Sequence, residues 1–550
     1  MDPAHADLLT ESVEESAGAV ARARRVAWIE GVAAGYEGAR RAAERTGRAR
    51  AAGAWYTPDD VVRTVLDAAL GGRGGLRRSG QGGRPARAGG SLGVVDAACG
   101  TGHFLVDAAT RVGAGSVHGM DLDPMAVAIA RVRMRLRFGQ SAAHWRRAIR
   151  CGDALSAGAW EGREFAAVVG NPPFLGQLSA RTARTADERD ALRLRFGGAV
   201  SRYADTACAF LLLGTELAPR GTVALVQPLS ALSAGDSADA RALCGTRLPI
   251  ASVRILREDA FGAEVRTCVV TLSAHASGRV AAIDATGTRA ELARDRFADG
   301  AWGAALAAAR QVPLPCARRT AGTLDDHMSA TSDFRQHYYG LRGLVHEARA
   351  TRPTRSRPAL VTVGAIDAAR LGWSTKPVRI HARDFRAPTV VRAELERHAV
   401  LGPWVRARGV PKVLVATQTR AIEAWVDGAG IALGSTPVIT AVPRAAKDLW
   451  RVGAAILAPS TAAEAWWRHA GAALSSSAVR ITASQLRRMP APGGRAAWDR
   501  GARALRAWQR SGRDADRQRF AEAMCDAYGV PAGTGRERLI AWWTRSVGTP

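Results

Sequence analysis

The sequence predicts an α/β fold: a seven-stranded, doubly wound, mostly parallel sheet with a helical N-terminal extension and a mixed α+β domain behind it. Three observations predict it. Short, near-continuous apolar runs alternate with helical stretches from Leu92 onward, the pattern of strands covered by helices on both faces. Several of these runs end in Gly or Asp immediately before a helical stretch, as strands do at the ligand-binding edge of an open sheet. At 550 residues, the chain is long enough for two or three domains, each with its own core.

Residues 11–52 are rich in Ala, Glu and Arg with apolar residues at helical spacing, which predicts one or two helices. Pro58 opens another helix running through Leu70. The segment GGRGGLRRSGQGGRPARAGGS, 71–91, has no apolar periodicity and reads as a flexible Gly/Arg-rich loop. The strand candidates follow: LGVVDAAC from Leu92, SVHGMDLD from Ser116, AIRCGDAL from Ala148, FAAVVGNPP from Phe165 and GTVALVQP from Gly221. ASVRILRE from Ala251 and VRTCVVTL from Val265 are joined by a short link and are expected to form an antiparallel edge pair. Beyond about Ala274 the alternation ends and irregular segments with short strand candidates run to Pro492. Helical spacing then returns, with Trp498, Leu505, Trp508, Phe520, Met524, Leu539 and Trp542 as expected buried positions. The expected domains are a helical extension (1–54), a sheet domain (55–273), a second domain (274–492) and a C-terminal helical region (493–550).

Composition narrows the partners. The seven cysteines are far apart with no CxxC pair, which predicts free thiols and no metal site. No apolar run approaches the roughly 20 residues that span a bilayer, and the N-terminus lacks the layout of a secretion signal, so no membrane partner and a cytoplasmic location are expected. The net charge of +27 favours a polyanion such as nucleic acid, against the plainer reading of a generally basic, soluble surface. Lysine occurs only at Lys376, Lys412 and Lys447, so the charge is almost all arginine.

The sequence DAACGTGHF puts Gly100 and Gly102 at a strand-to-helix turn, where glycine lets the backbone bend and approach a ligand. Asp121 follows Gly102 by 19 residues, near the spacing of an acid that bonds a ribose hydroxyl. Asp153 ends the third strand on the same edge, where its carboxylate can accept an adenine amino hydrogen. Taken singly, Asp121 reads equally as a helix cap and Asp153 as a turn former; their shared position at consecutive strand ends favours a nucleoside cofactor pocket. A dinucleotide is disfavoured because the third glycine of GxGxxG is replaced by Leu105.

The fourth strand ends in VVGNPPFLG. An adenine N6 amine is a poor nucleophile because its lone pair is delocalised into the ring, and two acceptors aimed at its hydrogens would localise that pair. The Asn171 side-chain oxygen and the Pro172 carbonyl can supply them. Pro173 stiffens the loop, and Phe174 offers a flat face for an extruded base.

These residues resemble the γ-class N6-adenine DNA methyltransferases, the NPPY/NPPF family of restriction-modification enzymes with a C-terminal target recognition domain. The resemblance follows the family's motif order from about Trp55 to Leu272. It implies S-adenosyl-L-methionine as cofactor, held by Thr57 of WYTP, by Asp96, Gly100, Thr101, Gly102 and Phe104 of the first loop, and by Asp121 and Asp153. It also implies catalysis by Asn171, Pro172, Pro173 and Phe174, with Phe261 as a second aromatic against the target base. The chain departs from the family pattern at Ala97, where many relatives have proline, and in the long 71–91 insertion. The activity implied is site-specific methylation of adenine N6 in double-stranded DNA with base flipping. The N-terminal ~50 residues are too short for a nuclease domain, so no cleavage activity is expected in this chain; the resemblance also implies a separate restriction endonuclease or a defence-system component as a possible partner.

RNA adenine or protein glutamine methylation is the alternative, since related NPPY and NPPF loops serve those substrates. The large basic C-terminal half favours DNA. Segments such as HYYGLRG, RPALVTVGAID, PKVLVATQTR and AVRITASQLRRMPAP resemble specificity domains of the same class, with Trp373, Lys376, Lys412, Gln418, Arg420, Arg487 and Arg488 as candidate DNA contacts.

Overall fold

A computed structural model describes residues 19–45, 57–71, 93–174, 185–200, 204–261, 266–333, 335–349, 352–375, 377–471 and 478–547. The chain divides into two compact units, 1–309 and 310–550.

The first unit opens with helix α1 (Ala19–Arg45), within the stretch expected to be helical. Helix α2 (Asp59–Leu70) begins after Pro58, as expected, and buries Val61, Val62, Val65, Leu66 and Ala69 along one face. The predicted loop that follows lies, apart from Gly71, outside the described residues.

A nine-stranded sheet forms the body of this unit, in the order β3-β2-β1-β4-β5-β7-β6-β8-β9. Its first five members are parallel: β1 (Val94–Asp96), β2 (Val117–Asp121), β3 (Ile149–Cys151), β4 (Ala167–Gly170) and β5 (Thr222–Pro228). Helices α3 (His103–Val112), α4 (Pro124–Phe138), α5 (Ala142–Ala148), α6 (Ala186–Phe196) and α7 (Thr206–Leu217) lie between them. After helix α8 (Ala238–Arg247) come β6 (Ile250–Ile255) and β7 (Thr267–Ser273), with β7 antiparallel to both β5 and β6. All seven expected strands form. Both β1 and β4 are buried along their whole length, as continuous apolar runs with helices on both faces should be.

The β6–β7 pair is antiparallel, as expected, but it does not end the sheet. Strand β8 (Arg279–Ile283) adds parallel to β6, and β9 (Arg289–Ala293) closes a hairpin with β8 before helix α9 (Gly303–Ala309). The expected boundary at 273/274 therefore falls between two strands of one sheet, and the unit continues to Ala309.

The second unit is mixed α+β. Strands Met328–Ser332, Ile439–Pro443, Lys412–Val415 and Ala424–Asp427 form an antiparallel sheet. A smaller sheet joins His346–Glu347, Pro388–Thr389, Ala359–Val361 and Ala432–Gly434. The C-terminal helices Arg495–Ser511, Asp514–Ala527 and Thr534–Val547 belong to this same unit: the Gln509 side chain bonds both the N–H and the carbonyl of Val426 in the antiparallel sheet. Trp508, Phe520 and Trp543 pack ring against ring. In the last helix Trp543 is fully buried and Trp542 only half-buried, one position from the expectation, because Trp543 lies four residues after Leu539 on the core stripe.

Candidate active site

The chain leaves β1 toward β2 and β3, then returns to β4 on the other side of β1, so the carboxyl ends of β1 and β4 flank a topological switch point. Asp96 ends β1, and Gly100 and Gly102 follow in the left-handed region, at φ +52° and +85°. A side chain on Gly102 would press on Ala130 of α4, whereas nothing lies within 4 Å of where a Gly100 Cβ would be. The turn thus keeps an open approach at Gly100. Its amide donates to Asp121 Oδ2 at 2.7 Å, and the amide of Asp123 donates to Oδ1 at 2.9 Å. Asp121 is thereby fixed at the end of β2 with both oxygens engaged by backbone and lone pairs left for a ligand. Burial pushes its pKa up, against the two amides that pull it down. The helix cap before Pro124 is Asp123, which accepts from the amides of Met125 and Ala126.

Asp153 follows β3 and is exposed, accepting from the Leu155 amide and the Ser156 hydroxyl, so in this structure its carboxylate also shapes the turn. Thr101 is buried, and its hydroxyl donates to Glu37 of α1. Phe104 is buried in the core beneath the turn.

Asn171 leaves β4 with its side-chain Nδ2 donating to Thr57 Oγ1 at 3.0 Å. The WYTP and NPPF segments, 114 residues apart, therefore meet at one hydrogen bond. That bond assigns the amide orientation, and it leaves Asn171 Oδ1 as a buried acceptor with no partner. An unpaired buried acceptor is costly unless a ligand donor completes it. Pro172 is buried, and Pro173 and Phe174 are half-buried.

Asp96 ties the two loops together. It is almost fully buried, its Oδ1 accepts from the Ala98 amide at 3.0 Å, and its Oδ2 has no partner. Burial raises its pKa to about 7, with Asp121 adding to the shift. A Cβ at Gly170, whose φ is +149°, would stand 2.6 Å from Asp96 Oδ1. Only glycine there lets the NPPF segment run past that carboxylate.

The structure places three of the expected contacts, Phe261, Lys412 and Trp373, inside the protein. Phe261 is 6% exposed and belongs to the core cluster against which Phe174 packs, so contact with a target base would require its ring to leave that packing. Lys412 is fully buried and ion-paired with Asp427 at 2.6 Å, which rules it out as a DNA contact in this structure. Trp373 is buried with its indole donating to the Pro388 carbonyl. Arg487 is half-buried and bonds Asp325 at 3.4 Å. Gln418 is half-buried, Arg420 and Arg488 are exposed, and Lys376 lies outside the described residues. Sequence reasoning also missed Tyr36, Glu37 and Arg40 of α1, whose polar groups reach Asp123 and Thr101. The available signal was the Ile29, Ala33, Tyr36, Arg40 spacing, one helical face continuing from apolar into polar residues.

Residues 36–296 match the family model described as N-6 DNA methylase. Among solved structures, a type IIL restriction-modification enzyme, MmeI, in complex with DNA is 13% identical, with a TM-score of 0.55 over 83% of this chain and 73% of that one. A type I restriction-modification system methyltransferase subunit from Streptococcus thermophilus is 23% identical, with a TM-score of 0.33 over 42% of this chain and 47% of that one. At these identities the first likeness concerns the fold alone, and it bears out the α/β class. No curated protein matches the chain in sequence.

Proposed function

We propose, because residues 36–296 match the family model described as N-6 DNA methylase, that the chain is a member of that family and methylates adenine N6 in DNA with S-adenosyl-L-methionine as methyl donor. The observation that carries this reading is the orphaned Oδ1 of Asn171, held by Thr57 beside the Asp96 and Gly100 turn.

The residues present fit the cofactor. Asp121 offers lone pairs to ribose hydroxyls, the turn at Gly100 leaves room for close backbone approach, and the unpaired Asp96 oxygen offers a further acceptor. When bound, the cofactor supplies an electrophilic methyl on a sulfonium sulfur. Asn171 Oδ1 and the Pro172 carbonyl accept the two N6 hydrogens, which localises the amine lone pair toward that methyl. Asn171 and Pro172 would hold the amine while the bound cofactor supplied its methyl group, and the surplus N6 proton would pass to solvent. Phe174 stacks on the adenine, which must leave the duplex because pairing and stacking block the approach to N6. Base readout is assigned to the second unit, with a restriction-modification or phage-defence setting as the biological context.

Asn171→Ala tests the reading. Methyl transfer from labelled cofactor to DNA should vanish while cofactor affinity by calorimetry changes little, because Asn171 acts on the amine. Near-normal turnover would overturn the assignment.

A further inference from the structure

The N-terminal helix packs Ile29 and Ala33 against Ile129, Val132 and Leu136 of α4, which by itself would make it a stabilising strut. One turn further on, its side chains do something else. The Tyr36 hydroxyl and Arg40 Nη1 both donate to Asp123 Oδ2, at 2.5 and 3.0 Å. The other oxygen of Asp123 caps α4, and its amide holds Asp121 Oδ1. A continuous path of hydrogen bonds thus leads from Tyr36 to Asp121. Burial and the bond to Asp123 push the Tyr36 hydroxyl above its ordinary range, so it stays a donor at every working pH.

A second path reaches the glycine turn. Glu37 accepts the hydroxyl of Thr101, which sits between Gly100 and Gly102, and Arg133 clamps the Thr101 carbonyl at 2.7 Å while pairing with Glu30 of α1 at 2.6 Å. Two left-handed glycines leave the turn more backbone freedom than side-chain-bearing residues would, so contacts from outside it help to hold a ligand-ready shape. Glu37 Oε2 is buried without a partner. A strut that only packs gains nothing from a desolvated carboxylate oxygen, which costs stability where it stands.

We propose that α1 is part of the cofactor site, with Glu37 acting through Thr101 and Tyr36 acting through Asp123 as positioning residues for the Gly100–Gly102 turn and for Asp121. The inference rests on reading that pocket as one for S-adenosyl-L-methionine.

The test uses the full chain and calorimetric titration with S-adenosyl-L-methionine for the wild type, Tyr36→Phe, Glu37→Ala, Glu37→Gln, Thr101→Val and the Glu37→Ala/Thr101→Val double variant. Tyr36→Phe and Glu37→Ala should each weaken binding about tenfold, the scale of one hydrogen bond to a charged group. Glu37→Gln, which can still accept the Thr101 hydroxyl, should restore most of it. The double variant should bind no worse than the weaker single one, because the two residues act on one contact. In turnover assays the KM for the cofactor should rise while the KM for DNA stays put. Unchanged affinity in folded variants, additive losses, or a DNA KM rising in step would each overturn the proposal. If Glu37→Ala fails to fold, the near-isosteric Tyr36→Phe still decides the matter. A wild type that binds no cofactor would instead refute the underlying reading of the pocket.

Discussion

In the proposed reaction a single hydrogen bond decides which atom of Asn171 faces the substrate. With Nδ2 given to Thr57, the oxygen is the group left for the substrate amine; without that bond the amide is free to flip and present a donor, which repels an N–H. Thr57→Val keeps the shape and removes the acceptor. It should lower the rate of the methyl-transfer step at saturating cofactor roughly fivefold to tenfold, the equivalent of about 1 kcal/mol, as single-turnover kinetics would show. A rate equal to wild type would mean that Thr57 serves only packing. Asp96 gives a prediction of another kind. Its pKa of about 7 in the folded protein lies above the ordinary carboxylate value, so between about pH 4 and 7 the native state holds a proton that the unfolded chain has lost. Its contribution to stability therefore falls as pH rises through that window, by at most about 1.4 kcal/mol per pH unit, and the full cost is present above pH 7. Thermal unfolding should show Asp96→Asn losing less stability than wild type between pH 5 and 7.5, and parallel profiles would contradict the burial argument.

Among the elements, those made from strong local patterns are legible in the sequence alone. Helix α2 after Pro58, the five parallel strands and the β6–β7 pair all carry apolar runs bounded by turn residues. Strands β8 and β9 escaped because β9 alternates with exposed Arg289 and Glu291 and the pair needs β6 beside it; only the tertiary partner makes RVAAI a strand and not another irregular stretch. The same limit applies within the site. Motif spacing put Asn171, Gly100 and Asp121 on one sheet edge, yet nothing local says that Thr101 reaches Glu37 across 64 residues, or that Lys412 lies wholly inside the second unit. Lys412 read as a surface cation because most lysines are exposed, and its burial depends on Asp427 of the neighbouring strand. The position of β8 and β9 also fixes where the chain can be cut. A fragment ending at 273 strips β8 from β6 and exposes an apolar sheet edge, so it should aggregate; one ending at 309 should stay monomeric and bind cofactor. Size-exclusion chromatography of the two fragments checks this, and equal behaviour would mean that β8 and β9 add little to the sheet.

For the whole molecule, the relevant quantities are two compact units and a net charge of +27. One extruded adenine carries no sequence information, so the proposed division gives the chemistry to residues 1–309 and the reading of neighbouring bases to residues 310–550. Binding to non-specific DNA should weaken steeply with salt, with a log-log slope of about −0.9 per neutralised phosphate, and a flat salt titration would remove the electrostatic half of the argument. The measurement closest to the central claim is the identity of the methylated product. Duplex DNA, RNA and mixed protein are each incubated with the full-length chain and labelled S-adenosyl-L-methionine, then digested and resolved by mass spectrometry. The account predicts N6-methyladenine from the DNA sample, absent when Asn171→Ala replaces the wild type; label appearing instead in RNA or on protein glutamine would contradict it.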